Sequence, residues 1–261
     1  MRLKRFVATA AIALVAMQSL SALADTIDVR GSTTVNSVLI TPYMADIERL
    51  SGQKLKVSPS NSGEGLTDLI GFSSDVAMTS APFKDVADQL AKTPNLKGLK
   101  IDQREFNVVN LGHAEVLFVV NASNKVSHLT KAQLTGLLTG TIKNWKEVGG
   151  EDQPVVIISE AGTGAMRTEI SRHLLGGKDF PTDIKTIELA NQIPGVVAAT
   201  PGAIGFMSSA LPASQRADVR VIPSDGKIEQ TLFVITRPHP SASVESVISA
   251  IKDVASKALT H

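Results

Sequence analysis

Apolar residues recur along this chain in two rhythms that alternate: short β-branched runs, and wider stripes at helical spacing. Thr26 to Val29 predicts a strand, and Val35 to Leu50 a helix that stops at Gly52. Leu55 to Pro59, Gly65 to Phe72 and Asp75 to Ser80 then predict strand, helix and strand. A second series begins with Glu115 to Asn121 (EVLFVVN), a continuous apolar run as expected for a strand buried on both faces. Thr130 to Gln133 fits a capping box, whose helix stops near Gly136 or Gly140. Pro154 to Ser159 predicts another strand, and Gly162, Thr163 and Gly164 lead into a helix through Leu175 that Gly176-Gly177 ends. Val244, Val247, Ile248, Ile251 and Val254 make the final helix amphipathic.

Such alternation implies βαβ units and sheets flanked by helices, an α/β chain. Two lobes are favoured because the middle series looks self-contained. The chain is expected to cross between them at Asn107 to Asn121 and at Gly205 to Val221. That places 25–112 and 205–261 in lobe I and 113–204 in lobe II, with the C-terminal segment completing the first lobe.

The first 24 residues have a different pattern. Arg2, Lys4 and Arg5 precede an uncharged, mostly apolar run from Phe6 to Met17, and Ala22-Leu23-Ala24 stands before Asp25. This is the layout of a secretory signal peptide, and the run is short for a membrane span. The chain contains no cysteine, so a lipid anchor on a cleavage-site cysteine is not expected, nor are disulfides. Cleavage after Ala24 leaves 237 of the 261 residues, enough for a core without covalent staples. Together these features point to a free periplasmic protein, with monomer as the default.

Charge narrows the partners. Without the signal segment the chain has 23 basic and 25 acidic residues, a formal net of −2, and so no global field for nucleic acid or an anionic membrane. Aromatics are 4 %, too few for a sugar-stacking cleft. Catalysis finds little support: there is no Gly-x-Ser-x-Gly elbow, P-loop or His-Glu-x-x-His, and the five histidines lack metal-ligand spacing. Gly162-Thr163-Gly164 hints at a dinucleotide loop, but Arg167 stands where its third glycine belongs. No cofactor or metal is expected. Trp145 is read as an anchor that packs its loop onto the second lobe.

Hydroxyls and glycines gather instead at three strand-to-helix junctions. These are Gly31-Ser32-Thr33-Thr34, Asn61-Ser62-Gly63-Glu64-Gly65 and Ser159-Glu160-Ala161-Gly162-Thr163-Gly164. In open α/β sheets such junctions lie at the carboxyl edge, where ligands bind. Each offers free helix N-terminal N–H groups and hydroxyl donors, and glycine lets the backbone approach an anion closely. Each loop taken singly is also an ordinary helix cap.

Gly31-Ser32-Thr33-Thr34-Val35 and Ser62-Gly63-Glu64-Gly65 resemble the opening of the phosphate-binding proteins of ABC importers. Leu129 to Gly150 (LTKAQLTGLLTGTIKNWKEVGG) resembles that family's second-lobe signature nearly residue for residue. Pro194 to Val197 and Pro201 to Phe206 also fit. The resemblance implies a two-lobed periplasmic-binding-protein fold (type II) that holds phosphate in its cleft and delivers it to an ABC permease in the inner membrane. By position the donors would be Thr34, the Val35 N–H, Ser62, Thr163 and Gly164, with Ser32, Thr33 and Gly162 as neighbouring substitutes. The chain departs from the family in three places. Ser80 stands where the family often has the aspartate that accepts the phosphate proton, Ser159 where it often has an arginine, and Ala165 where a hydroxyl is typical. Arg167 is the candidate replacement charge, with a surface ion pair as its plain alternative. A site of donors alone would discriminate poorly between phosphate and sulfate, so another oxoanion, or a signalling or surface-interaction role on the same fold, stands as the alternative.

Overall fold

The runs rich in Val and Ile build nine strands among the residues that the computed structural model describes, namely 24–259 apart from 94, 95, 97, 99, 163 and 226. The segment read as a signal peptide lies outside them, save Ala24. The strands are β1 (Thr26–Ser32), β2 (Lys54–Ser60), β3 (Val76–Thr79), β4 (Asn107–Asn121), β5 (Val156–Glu160), β6 (Lys185–Ile187), β7 (Ala203–Ser208), β8 (Val219–Val221) and β9 (Glu229–Thr236). The helices are α1 (Thr33–Val35), α2 (Thr41–Ser51), α3 (Ser62–Ile70), α4 (Phe83–Leu90), α5 (Lys131–Leu138), α6 (Ala165–His173), α7 (Ile193–Ala198) and α8 (Ala242–Ala258).

The strand order is β2-β1-β3-β9-β4-β7-β5-β6, with β8 also on β4. β4 is shared by two sheets. Asn107 to Glu115 pairs antiparallel with β9, and Val116 to Asn121 pairs with β7 and β8. Just before the exchange the register shifts between Asn110 and Gly112, and Gly112 has φ +119 with Leu259 packed against it. A side chain would be strained there, and such a bulge bends and twists the strand as it leaves one lobe for the other.

The cores follow this division. Ile27, Val29, Met78, Leu232 and Val234 pack with α2 and α8 on one face of the first sheet. Leu66, Leu69, Phe83 and Ile235 pack on its other face. A separate cluster around Trp145, Leu137, Ile158 and Phe206 fills the second lobe. Trp145 is the expected anchor: it is 1 % exposed and its Nε1–H donates to Gly202 O at 2.8 Å.

Two sequence expectations are corrected. The boundary at 205 assigned 205–228 to the first lobe, but β7 and β8 lie in the second sheet, and Met207, Leu211, Ile222 and Ile228 belong to the second core. The chain returns at Ile228–Glu229, where β9 enters between β3 and β4. The single helix expected from Val35 is broken: Asn36–Ile40 is a π-helical segment between α1 and α2, and Tyr43 has φ −116. Pro42 lacks an N–H to continue the ladder, so the backbone widens around it.

Candidate functional site

A glycine pair places the first two polar loops side by side. Gly31 lies at φ +115 near the end of β1, and a Cβ there would stand 2.3 Å from Met78 O. A Cβ on Gly65 would stand 2.6 Å from Gly31 Cα. The first turn of α3 therefore sits directly on the backbone of β1. Asn61 caps α3, its Oδ1 accepting the Glu64 N–H at 2.9 Å. Across this contact the Ser80 N–H donates to Ser62 Oγ at 3.1 Å, and Ser32 Oγ donates to Ser80 Oγ at 2.8 Å. Three serines from three strand ends thus form one buried hydrogen-bonded cluster.

Opposite stand the end of β5 and the start of α6. Ser32, Thr33, Thr34, Ser60, Asn61, Ser62 and Ser80 face Glu160, Ala165, Glu188 and Ala190 across a space of about 10 Å³, room for about one water. The lobes also meet beside this space. Asn191 Nδ2 donates to Ser37 Oγ at 3.3 Å, Gln89 bonds to Thr168, and Arg172 pairs with Asp85 at 2.7 Å. Ala165 packs into the first lobe's apolar cluster, which explains a methyl where the resemblance expects a hydroxyl.

The structure brings together Ser32, Thr33, Thr34, Ser62 and Ser80, and leaves the other expected residues that it describes outside the lining. The Val35 N–H donates to Ser32 Oγ at 3.3 Å. Gly63 is buried in α3, its carbonyl accepting from Thr67. Ser159 is fully buried in β5, its hydroxyl on Glu160 O. The Gly164 N–H is bonded to Ala161 O at 2.8 Å. Thr163 lies outside the described residues. Arg167 does not reach the cleft: its guanidinium bonds to Asp179 and Glu160 O and stacks over Phe180 at 5.0 Å. With Gly162 it lines a separate groove against Gln89 and Lys92.

Sequence reasoning passed over Glu160 as part of a loop. It is the last residue of β5 and 6 % exposed, and its Oε1 accepts the Arg167 N–H at 2.8 Å. Burial pushes its carboxyl up to about 7, opposed by the N–H groups of Arg167 and Met166 and by the Arg167 charge. An acid at the last position of a strand that opens into a glycine loop was the available signal. No Lys, Arg or His is among the described residues lining the cleft, and no cluster of metal-ligating residues occurs among them.

A family model for the PBP superfamily domain matches residues 17–257. The phosphate-binding protein PstS of Bacillus subtilis is 30 % identical over 121 residues, covering 46 % of this chain and 39 % of that protein. The match thus spans less than half the length of that relative. A Clostridium perfringens protein, solved with bound phosphate and assigned as a phosphate ABC transporter substrate-binding protein, superposes with TM-score 0.74 at 20 % identity. That superposition covers 89 % of this chain and 97 % of that one. The effector-binding domain of QuiR in complex with shikimate superposes with TM-score 0.64 at 12 % identity, covering 90 % and 99 %. At these identities the likeness shows the fold, which hosts different ligands.

Proposed function

The chain belongs to the PBP superfamily, and from that membership we propose that it is an exported binding protein that captures an inorganic oxoanion, phosphate first, between its lobes. The observation that carries this is the hydroxyl cluster of Ser32, Thr33, Thr34, Ser62 and Ser80, gathered at three strand ends and facing the first turn of α6. Neutral donors and a helix N-terminus are the chemistry that holds a compact anion. The similarity to PstS of Bacillus subtilis supports phosphate as the ligand.

Two connections join the lobes, within β4 and at Ile228–Glu229. A hinge there opens the cleft, the ligand enters, and the contacts Ser37–Asn191 and Asp85–Arg172 reform on closure. The closed form is then the species presented to an ABC permease from the periplasm. The chain acts in this reading as a receptor rather than a catalyst.

A second reading keeps the cleft and changes the ligand to sulfate. It is favoured by Ser80, a hydroxyl where a carboxylate would accept the phosphate proton. A thermal-shift titration separates the two, using protein purified after export and stripped of ligand by unfolding and refolding. Ligand at 100 Kd stabilises by about 2.7 kcal/mol, roughly 5–10 °C for a chain of this size. A shift of that order with phosphate and little with sulfate is the expected result. The reverse order supports the sulfate receptor, and no shift with either at pH 5 or pH 8 overturns both.

A further inference from the structure

Glu160 is an unexpected group in a cleft that holds an anion. Its side chain folds over Gly164, where an added Cβ would stand 2.1 Å from its Cδ. The carboxylate there takes the N–H groups of Met166 and Arg167. These are first-turn donors of α6, whose N-cap Gly164 has no side chain to satisfy them. A helix N-terminus carries roughly half a positive charge and is where an incoming anion is best held. Glu160 therefore occupies, as part of the chain itself, two of the first-turn donors of α6. The space left beside it, about 10 Å³, is too small for a tetrahedral oxoanion.

The charged groups around it decide what an anion would meet. On α6, Arg167 directs its guanidinium to Asp179 and to the Glu160 carbonyl, away from the cleft. Beyond β6, Glu188 is the second carboxylate on the lining. From the first lobe come only neutral groups: Ser32, Thr33, Thr34, Ser60, Asn61, Ser62 and Ser80. An oxoanion entering beside ionised Glu160 would face like charge with no lining cation to offset it. The protonated side chain instead removes that charge and supplies an O–H donor. Burial already holds this carboxyl near neutrality, and a neighbouring anion raises it further.

We propose that Glu160 is a proton-carrying gate of the cleft: it leaves the first-turn amides of α6 and enters the complex protonated, so that the oxoanion binds with uptake of one proton from solvent. This rests on the oxoanion reading above. It makes the affinity of the receptor fall as pH rises, because only the protonated fraction of Glu160 is competent to bind.

Titration calorimetry with inorganic phosphate, in two buffers of different ionisation enthalpy, counts the protons. Phosphate itself titrates near neutral pH, so the full protein is compared with Glu160→Gln, which keeps the shape and a donor but cannot ionise. At pH 8 the unsubstituted protein is expected to take up close to one proton more per phosphate than the variant. Its affinity is also expected to be about tenfold weaker, the protonated fraction there being about one tenth. At pH 6 the two should bind alike. Equal proton counts and parallel pH profiles would overturn the gate while leaving oxoanion binding intact. Absence of binding of phosphate and sulfate to both proteins at pH 5.5 would overturn the oxoanion reading and the gate with it. Glu160→Ala serves the same comparison should the amide variant fail to fold.

Discussion

At the scale of single residues, the cleft is a set of groups whose preferences conflict, and Glu160 is where the conflict is greatest. Burial raises its carboxyl from an ordinary 4.5 to about 7. Between those values the folded chain holds more protons than the unfolded one, so stability is lost as pH rises from about 4.5 to about 7 and stays lower above. The full shift corresponds to roughly 3 kcal/mol. Glu160→Gln abolishes that loss, so its melting temperature should fall less than that of the unsubstituted protein between pH 5 and pH 8, as followed by calorimetry without ligand. Ser62 makes a different prediction. Its Oγ accepts the buried Ser80 N–H. Ser62→Ala leaves that donor unpaired and should cost about 1–3 kcal/mol in urea unfolding, besides weakening phosphate binding.

At the scale of elements, two glycines determine where the serines meet. α3 lies on β1 because neither Gly31 nor Gly65 carries a side chain at their contact. Gly65→Ala places a methyl 2.6 Å from Gly31 Cα and 2.9 Å from Arg30 O, so α3 must move away and take Ser62 from Ser80. Overpacking of this kind costs about 1–3 kcal/mol. The variant should melt earlier, and its affinity for phosphate by calorimetry should fall at least about tenfold, at the ~1.4 kcal/mol per decade of binding. Trp145 plays the corresponding part in the second lobe, closing the loop after α5 onto Gly202. Trp145→Ala should cost about 3–5 kcal/mol, read from the denaturation midpoint, and leave the geometry of the first lobe intact.

At the scale of the whole molecule, function in this reading depends on two lobes that meet through few polar contacts. Asp85 of α4 and Arg172 of α6 form one such bridge, and both are partly exposed. Each lobe has its own core, so breaking the bridge should leave the melting temperature without ligand nearly unchanged. It should weaken the closed, liganded form instead. Asp85→Asn is expected to raise the Kd for phosphate about two- to fivefold, in keeping with a pair worth up to about 1 kcal/mol. The effect should shrink as salt is added during the titration.

Much of this protein was legible from local order alone. The alternation of β-branched runs with helical stripes specified an α/β chain. The capping box at Thr130 and Gln133 forms as read, and Gly52 ends its helix in the left-handed conformation. The loops of Ser32 and Ser62 form at strand-to-helix junctions, because strand ends and helix starts are encoded within a few residues, while their meeting depends on the tertiary contact of Gly31 with Gly65. What tertiary structure alone decided depends on partners distant in the chain. β4 divides between two sheets, and β7 and β8 belong to the second lobe, because pairing register is set by strands up to 129 residues away, Asn107 standing opposite Thr236. Arg167 turns to Asp179 and Phe180 rather than into the cleft, since a charge on a helix is claimed by whichever carboxylate the packing brings near. Glu160 takes the place beside the serines because the two lobes meet over it, and no spacing along the chain encodes that contact.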